Sequence, residues 1–223
     1  WYEAHWEEAE DVSADVLKVI ERHTREYLPF EVYAKSLQEY FRNYEQTAGD
    51  WERHHSRMYP ILDQYQRDGY GALLKIGGKF GGAFLCDGVG LGKTFVGLML
   101  IERLVKFERK KVLLIVPKSG REPVWESALR TYLPELFGVF SNLVVINHTD
   151  LQRGGDWIER LQRIKDQADV VVVDEAHHFR NPSTKKDTSR YWQMQDLAKD
   201  KQVFMLTATP INNRLIDLQH LIE

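Results

Sequence analysis

Eight residues, Asp87-Gly88-Val89-Gly90-Leu91-Gly92-Lys93-Thr94, constrain this chain more than any others, because they join a strand-like run to a helix-like run. Ala83-Phe84-Leu85-Cys86 precedes them, and Phe95, Leu98, Leu100, Ile101, Leu104 and Val105 follow at helical spacing. A loop in that position opens a helix N-terminus. Glycines at 88, 90 and 92 allow backbone N–H groups to turn inward around a polyphosphate. Lys93 offers a positive charge to the β- and γ-phosphates, and Thr94 offers a hydroxyl to Mg²⁺. Asp87 stands where the pattern usually has its first glycine. The stretch predicts a nucleoside triphosphate site, with Val89 and Leu91 completing the loop.

A second element supports this reading. Val170-Val171-Val172-Val173 is a continuous β-branched run, as expected of a parallel strand buried on both faces, and it leads into Asp174-Glu175-Ala176-His177. Carboxylates at a strand's carboxyl end lie where open α/β sheets form their ligand crevice. Asp174 is expected to hold Mg²⁺, and Glu175 to orient the attacking water. His177 admits two readings, a structural histidine or a relay. Val203-Phe204-Met205-Leu206 then runs into Thr207-Ala208-Thr209-Pro210, a third strand ending in hydroxyl residues, read as a sensor of nucleotide state.

Strand-like runs at 83–86, 112–116, 143–147, 169–173 and 203–207 alternate with helix-like runs, which predicts an α/β fold with a mostly parallel sheet and helices on both faces. Residues 1–60 read as an acidic helical extension. They hold 13 Asp/Glu against 7 Lys/Arg, a net charge of −6, leaving the remainder at +3. Val12, Val16 and Ile20, then Tyr33, Leu37, Tyr40, Phe41 and Tyr44, recur at helical spacing on either side of Pro29. Two amphipathic helices are expected there, acting as a brace or as a docking or autoinhibitory element for a protein partner.

The single cysteine, Cys86, is expected to be buried in its strand and excludes an internal disulfide framework. No apolar run reaches the roughly 18 residues of a membrane span, which points to an intracellular protein without membrane contact. The segment 181–190, polar after Pro182, reads as a loop near the nucleotide. The chain begins at Trp1 and is read as a fragment.

Taken together, residues 87–94, 174–177 (Asp-Glu-Ala-His) and 206–213 (Leu-Thr-Ala-Thr-Pro-Ile-Asn-Asn) resemble motifs I, II and III of superfamily 2 helicase-like ATPases, most closely the Swi/Snf-type DNA translocases. Gly-Leu-Gly-Lys-Thr behind an acidic residue, and Leu-Thr-Ala-Thr-Pro followed by Asn, are similar to that group. RNA helicases tend toward Gly-Ser/Thr-Gly-Lys-Thr and Ser-Ala-Thr. Leu62-Asp63-Gln64-Tyr65-Gln66-Arg67-Asp68-Gly69 resembles the family segment whose glutamine amide pairs with adenine, which implies that role for Gln66. Leu113 to Ser119, with Trp125, resembles motif Ia and implies nucleic-acid backbone contacts at Lys118 and Ser119. Gly88 departs from the Glu of many eukaryotic remodellers and reads as a divergent branch.

The resemblance covers residues 61–223 and implies the first RecA-like lobe, using ATP and Mg²⁺. It also implies duplex DNA bound largely without sequence preference, and coupling through His177, Thr207 and Thr209. The second RecA-like lobe, which supplies an arginine to the transferring phosphoryl group, is absent from this chain. The lobe alone is therefore expected to hydrolyse ATP negligibly. An RNA helicase lobe and a nucleotide-dependent interaction switch are the alternative readings.

Overall fold

The computed structural model describes Phe30, Tyr33 and residues 49–138, 141–182 and 189–208. The chain divides into two compact units, Trp1–Asn43 and Tyr44–Glu223, and the fold described here is that of the second. Apart from Tyr33, which is helical, the residues singled out between 12 and 44 lie outside the described residues.

Five strands, β1 (Gly82–Leu85), β2 (Val112–Val116), β3 (Leu143–Asn147), β4 (Val170–Asp174) and β5 (Gln202–Leu206), form one sheet in the order β1-β5-β4-β2-β3. Every pairing is parallel. The helices are α1 (Asp50–His55), α2 (Gln64–Phe80), α3 (Lys93–Glu102), α4 (Ser127–Tyr132), α5 (Trp157–Gln167) and α6 (Arg190–Ala198). A π-helical turn, Arg103–Phe107, extends α3. Lys118–Gly120 and a π-helical stretch, Arg121–Glu126, lead into α4.

The alternation of side chains along each strand builds two cores. Leu114, Val170, Val172, Phe204 and Leu206 face one side, with Leu73 of α2 and Val96, Met99 and Leu100 of α3. Leu113, Ile115, Val171 and Val173 face the other, with Met194 and Leu197 of α6 and Leu161 and Ile164 of α5. The four valines of β4 are fully buried because helices cover both faces, as their unbroken apolar run predicts.

Residues 50–60, read from sequence as part of the extension, belong to the second unit, where Met58 is fully buried and Trp51 and Tyr59 pack beside it. Their anchor is Glu102 on α3, a carboxylate with no exposed surface. It accepts from Ser56 Oγ at 2.6 Å, Arg57 N at 2.9 Å, Met58 N at 3.1 Å and Lys106 Nζ at 3.1 Å. A buried charge is tolerable when it is satisfied in this way. Glu52 likewise accepts from Tyr70 Oη at 2.8 Å and pairs with Arg103. Burial and the facing Glu52 carboxylate hold the Tyr70 phenol far above its ordinary range.

Two local expectations are corrected. Cys86 is exposed, because β1 stops at Leu85 and Cys86 begins the loop. Arg190 opens α6, with Ser189 before it, so the expected loop ends earlier than 190; residues 183–188 lie outside the described residues.

Candidate active site

Parallel strands put all their carboxyl ends on one edge of the sheet, and the loops that follow β1, β2, β4 and β5 carry the residues singled out above. After β1 the chain turns through Gly90 (φ 82°) and Gly92 (φ 74°), both left-handed, and enters α3 at Lys93. Gly88 has no such φ, so only two of the three glycines are required by backbone conformation. A Cβ at Gly92 would also lie 2.4 Å from Gln66 Nε2, so the end of that side chain would have to move. Val89 and Leu91 point outward and are exposed.

Lys93 Nζ curls over its own loop, donating to the carbonyls of Asp87 and Gly88 at 2.9 Å each. Gln66, buried on the first turn of α2, is tied to the same loop. Its Oε1 accepts from Asp63 N at 3.0 Å, and its Nε2 donates to the Leu91 carbonyl at 3.2 Å and to Tyr65 Oη at 3.3 Å. Tyr65 Oη donates to that same Leu91 carbonyl at 3.0 Å. Gln66 and Tyr65 thus clasp the loop from α2. Thr94 follows Lys93 in the first turn of α3 and is half-buried.

Asp174 is held at three points. Trp125 Nε1 donates to Oδ2 at 2.7 Å, the Glu175 backbone N–H donates to Oδ1 at 2.9 Å, and His148 Nε2 bonds the Asp174 carbonyl at 2.8 Å. A carbonyl can only accept, so Nε2 carries the His148 proton. Burial holds the His148 imidazole down to about 4, with the neighbouring His178, Arg190 and His177 adding to the effect and the carbonyl bond opposing it. For Asp174, burial raises the carboxyl and the Glu175 charge raises it further, while the Trp125 indole and the Lys93 charge oppose the shift. Lys93, at the start of α3, and Asp174, at the end of β4, come from separate stretches of sequence to the carboxyl edge of one sheet.

Glu175 sits in the left-handed region at φ 49° and ψ 48°, a strained setting for a non-glycine residue. That turn brings its carboxylate to 3.1 Å from His177 Nδ1, and the same nitrogen lies 3.2 Å from Thr207 Oγ1 just past β5. The fully buried Thr207 also donates its backbone N–H to the Leu85 carbonyl at the end of β1, at 3.0 Å. His177 and Thr207 are brought together; Thr209 lies outside the described residues. Lys118 and Ser119 are exposed on the first helical residues after β2.

Sequence reasoning gave no role to His148, Tyr65 or Glu102, and it took Trp125 only as part of a motif. The one available signal is chemical: a tryptophan among apolar residues needs an acceptor for its N–H. No group of three or more His, Cys, Asp or Glu able to hold a metal occurs among the described residues. No helix among the described residues is long and apolar enough to cross a membrane.

A family model described as an SNF2-related domain matches residues 44–223. The "Uncharacterized ATP-dependent helicase YqhH" of Bacillus subtilis is 34% identical over 156 residues, covering 67% of this chain and 26% of that protein. The DNA repair and recombination protein RAD54B of Gallus gallus is 27% identical over 191 residues, covering 73% and 20%. The RNA polymerase-associated protein RapA of Actinobacillus succinogenes is 29% identical over 147 residues, covering 56% and 15%. The chain thus spans about a quarter or less of the length of these relatives. The Sulfolobus solfataricus SWI2/SNF2 ATPase core in complex with dsDNA matches in fold with a TM-score of 0.56 at 24% identity, over 72% of this chain and 34% of that one. The core domain solved as such gives 0.53 at 24% identity, over 71% and 33%.

Proposed function

The chain belongs to the SNF2-related domain family, and from that premise we propose that it is the ATP-binding lobe of a motor that couples Mg-ATP hydrolysis to movement on duplex DNA. The observation that carries the reading is Asp174, held by Trp125 and the Glu175 N–H, at the same carboxyl edge of the sheet as a loop turned by Gly90 and Gly92 that leads into Lys93.

The residues fit the nucleotide and its cation. The loop's backbone N–H groups and the α3 N-terminus suit a polyphosphate, with Lys93 exchanging two carbonyl partners for phosphate oxygens. Asp174 keeps lone pairs on both oxygens after its two hydrogen bonds, and the Thr94 hydroxyl is the second protein group offered to Mg²⁺. Bound Mg-ATP supplies the phosphoryl group and the cation that neutralises its charge. Glu175 orients the attacking water and takes its proton, with His177 fixing the carboxylate. Thr207 links that carboxylate, through His177, to the ends of β1 and β5. Gln66 reads adenine from a position where it also touches Leu91, so base recognition and loop geometry share one side chain. Lys118 and Ser119 meet the DNA backbone, which predicts weak sequence preference and strong salt dependence.

The comparisons with dsDNA-bound and DNA-repair relatives support a DNA substrate. A second RecA-like lobe supplies the arginine, worth roughly 10³ to 10⁵ in rate. Without it the lobe binds Mg-ATP weakly and turns it over negligibly. The acidic extension read from sequence as residues 1–60, of which 50–60 lie in the second unit, has a bracing or partner-docking role, and the protein acts inside the cell. Calorimetric titration of the 223-residue chain with a non-hydrolysable ATP analogue tests the site. Binding that weakens about tenfold or more in Lys93→Ala is expected, and no binding by the wild type contradicts the reading.

A further inference from the structure

We propose that Trp125 is a positioning residue that sets the orientation of the Asp174 carboxylate and thereby governs the Mg²⁺-dependent part of nucleotide binding; this rests on the ATP-site reading above. An aspartate carboxylate at the end of a strand rotates freely unless both oxygens are engaged. Here Oδ1 is fixed by the Glu175 N–H at 2.9 Å and Oδ2 by the Trp125 indole at 2.7 Å. The indole is a neutral donor. It fixes the plane of the carboxylate without competing for it as a lysine or arginine would, and it leaves lone pairs for a cation.

The ring is locked in place. Trp125 has no exposed surface, and its six-membered ring lies over Gly97 of α3, where a Cβ would come within 2.7 Å of Cη2. The π-helical stretch Arg121–Glu126 brings the ring to that position, and its Arg121–Glu126 ion pair, 2.7 Å, staples the stretch to itself. The helix that begins at Lys93 therefore supports the side chain that orients Asp174. His148 Nε2 bonds the Asp174 backbone carbonyl at 2.8 Å, a further tie on the same residue.

The test replaces Trp125 by 3-benzothienylalanine, which keeps the ring shape and puts sulfur in place of N–H, beside Trp125→Phe. The affinity of the 223-residue chain for a non-hydrolysable ATP analogue is measured in EDTA and in Mg²⁺, with thermal melting alongside. Partners that orient metal ligands are worth roughly 10- to 100-fold in metal affinity. The expected result is an unchanged affinity in EDTA and a Mg²⁺-induced tightening reduced at least about tenfold in the benzothienyl protein. Full retention of the tightening overturns the role of Trp125, as does an equal loss with and without Mg²⁺. A wild-type chain that shows no tightening at all overturns the ATP-site reading itself, and this proposal with it.

Discussion

His177 Nδ1 and Thr207 Oγ1 stand 3.2 Å apart across the ends of the adjacent strands β4 and β5, and the same nitrogen meets Glu175 Oε2 at 3.1 Å. The proposed water-activating carboxylate and the segment leaving β5 thus share one imidazole. Thr207→Val keeps the shape and removes the hydroxyl. In the whole protein it is expected to lower kcat about tenfold while the KM for ATP stays within about twofold, because the lost contact bears on Glu175 rather than on phosphate binding. Steady-state kinetics check this; an unchanged kcat contradicts it.

Glu102 ties residues 56–58 to α3 through three hydrogen bonds while also meeting Lys106. Glu102→Ala strands two backbone N–H groups and is expected to cost about 3–5 kcal/mol, as for breaking a buried pair. Glu102→Gln, which retains one acceptor, is expected to cost about 1.5–3 kcal/mol. Urea unfolding followed by tryptophan fluorescence measures both, and a loss below about 1 kcal/mol in the alanine variant contradicts the anchoring role.

His148 makes acid stability a readout of the site. Its folded pKa, about 4, lies below the ordinary 6.5, so the unfolded chain binds the proton more readily. Stability from this group is complete above about pH 6.5 and is lost as pH falls through that value toward 4, to a total of no more than about 3 kcal/mol. The raised Asp174 carboxyl acts with the opposite sign, so the comparison is between proteins rather than along one curve. His148→Gln retains an N–H donor that does not titrate. The melting temperature of the wild type should fall more steeply than that of the variant between pH 6.5 and 4.5; parallel curves contradict this.

Gly92→Ala combines a left-handed φ of 74° with a Cβ that meets Gln66 Nε2. Backbone strain alone is worth about 1–2 kcal/mol, and the displaced Gln66 releases Leu91. Nucleotide titration is expected to show binding weakened at least about tenfold, whereas Gly88→Ala, free of positive φ, should bind within about threefold of the wild type. Equal effects at the two positions contradict the account of the loop.

What was legible in the sequence follows from physical range. The five strands fall within a residue of their expected positions, because β-branched runs such as 170–173 and their turn residues are local signals. The glycine-turned loop ahead of α3 and the place of Asp174 and Glu175 at the end of β4 were legible for the same reason: each lies on a single short stretch. The pairing of Trp125 with Asp174, of His148 with the Asp174 carbonyl, and of Glu102 with residues 56–58 joins positions far apart in the chain, and nothing in local spacing encodes it. Cys86 was misplaced for a local reason, since an apolar run does not reveal the residue at which the ladder stops.

The central claim is DNA-stimulated ATP hydrolysis, and its most direct test is turnover by the whole protein carrying this lobe, with no nucleic acid, duplex DNA or duplex RNA, beside Glu175→Gln. The account predicts strong stimulation by duplex DNA that the substitution abolishes while nucleotide binding persists. Preference for RNA, or turnover indifferent to nucleic acid, contradicts it.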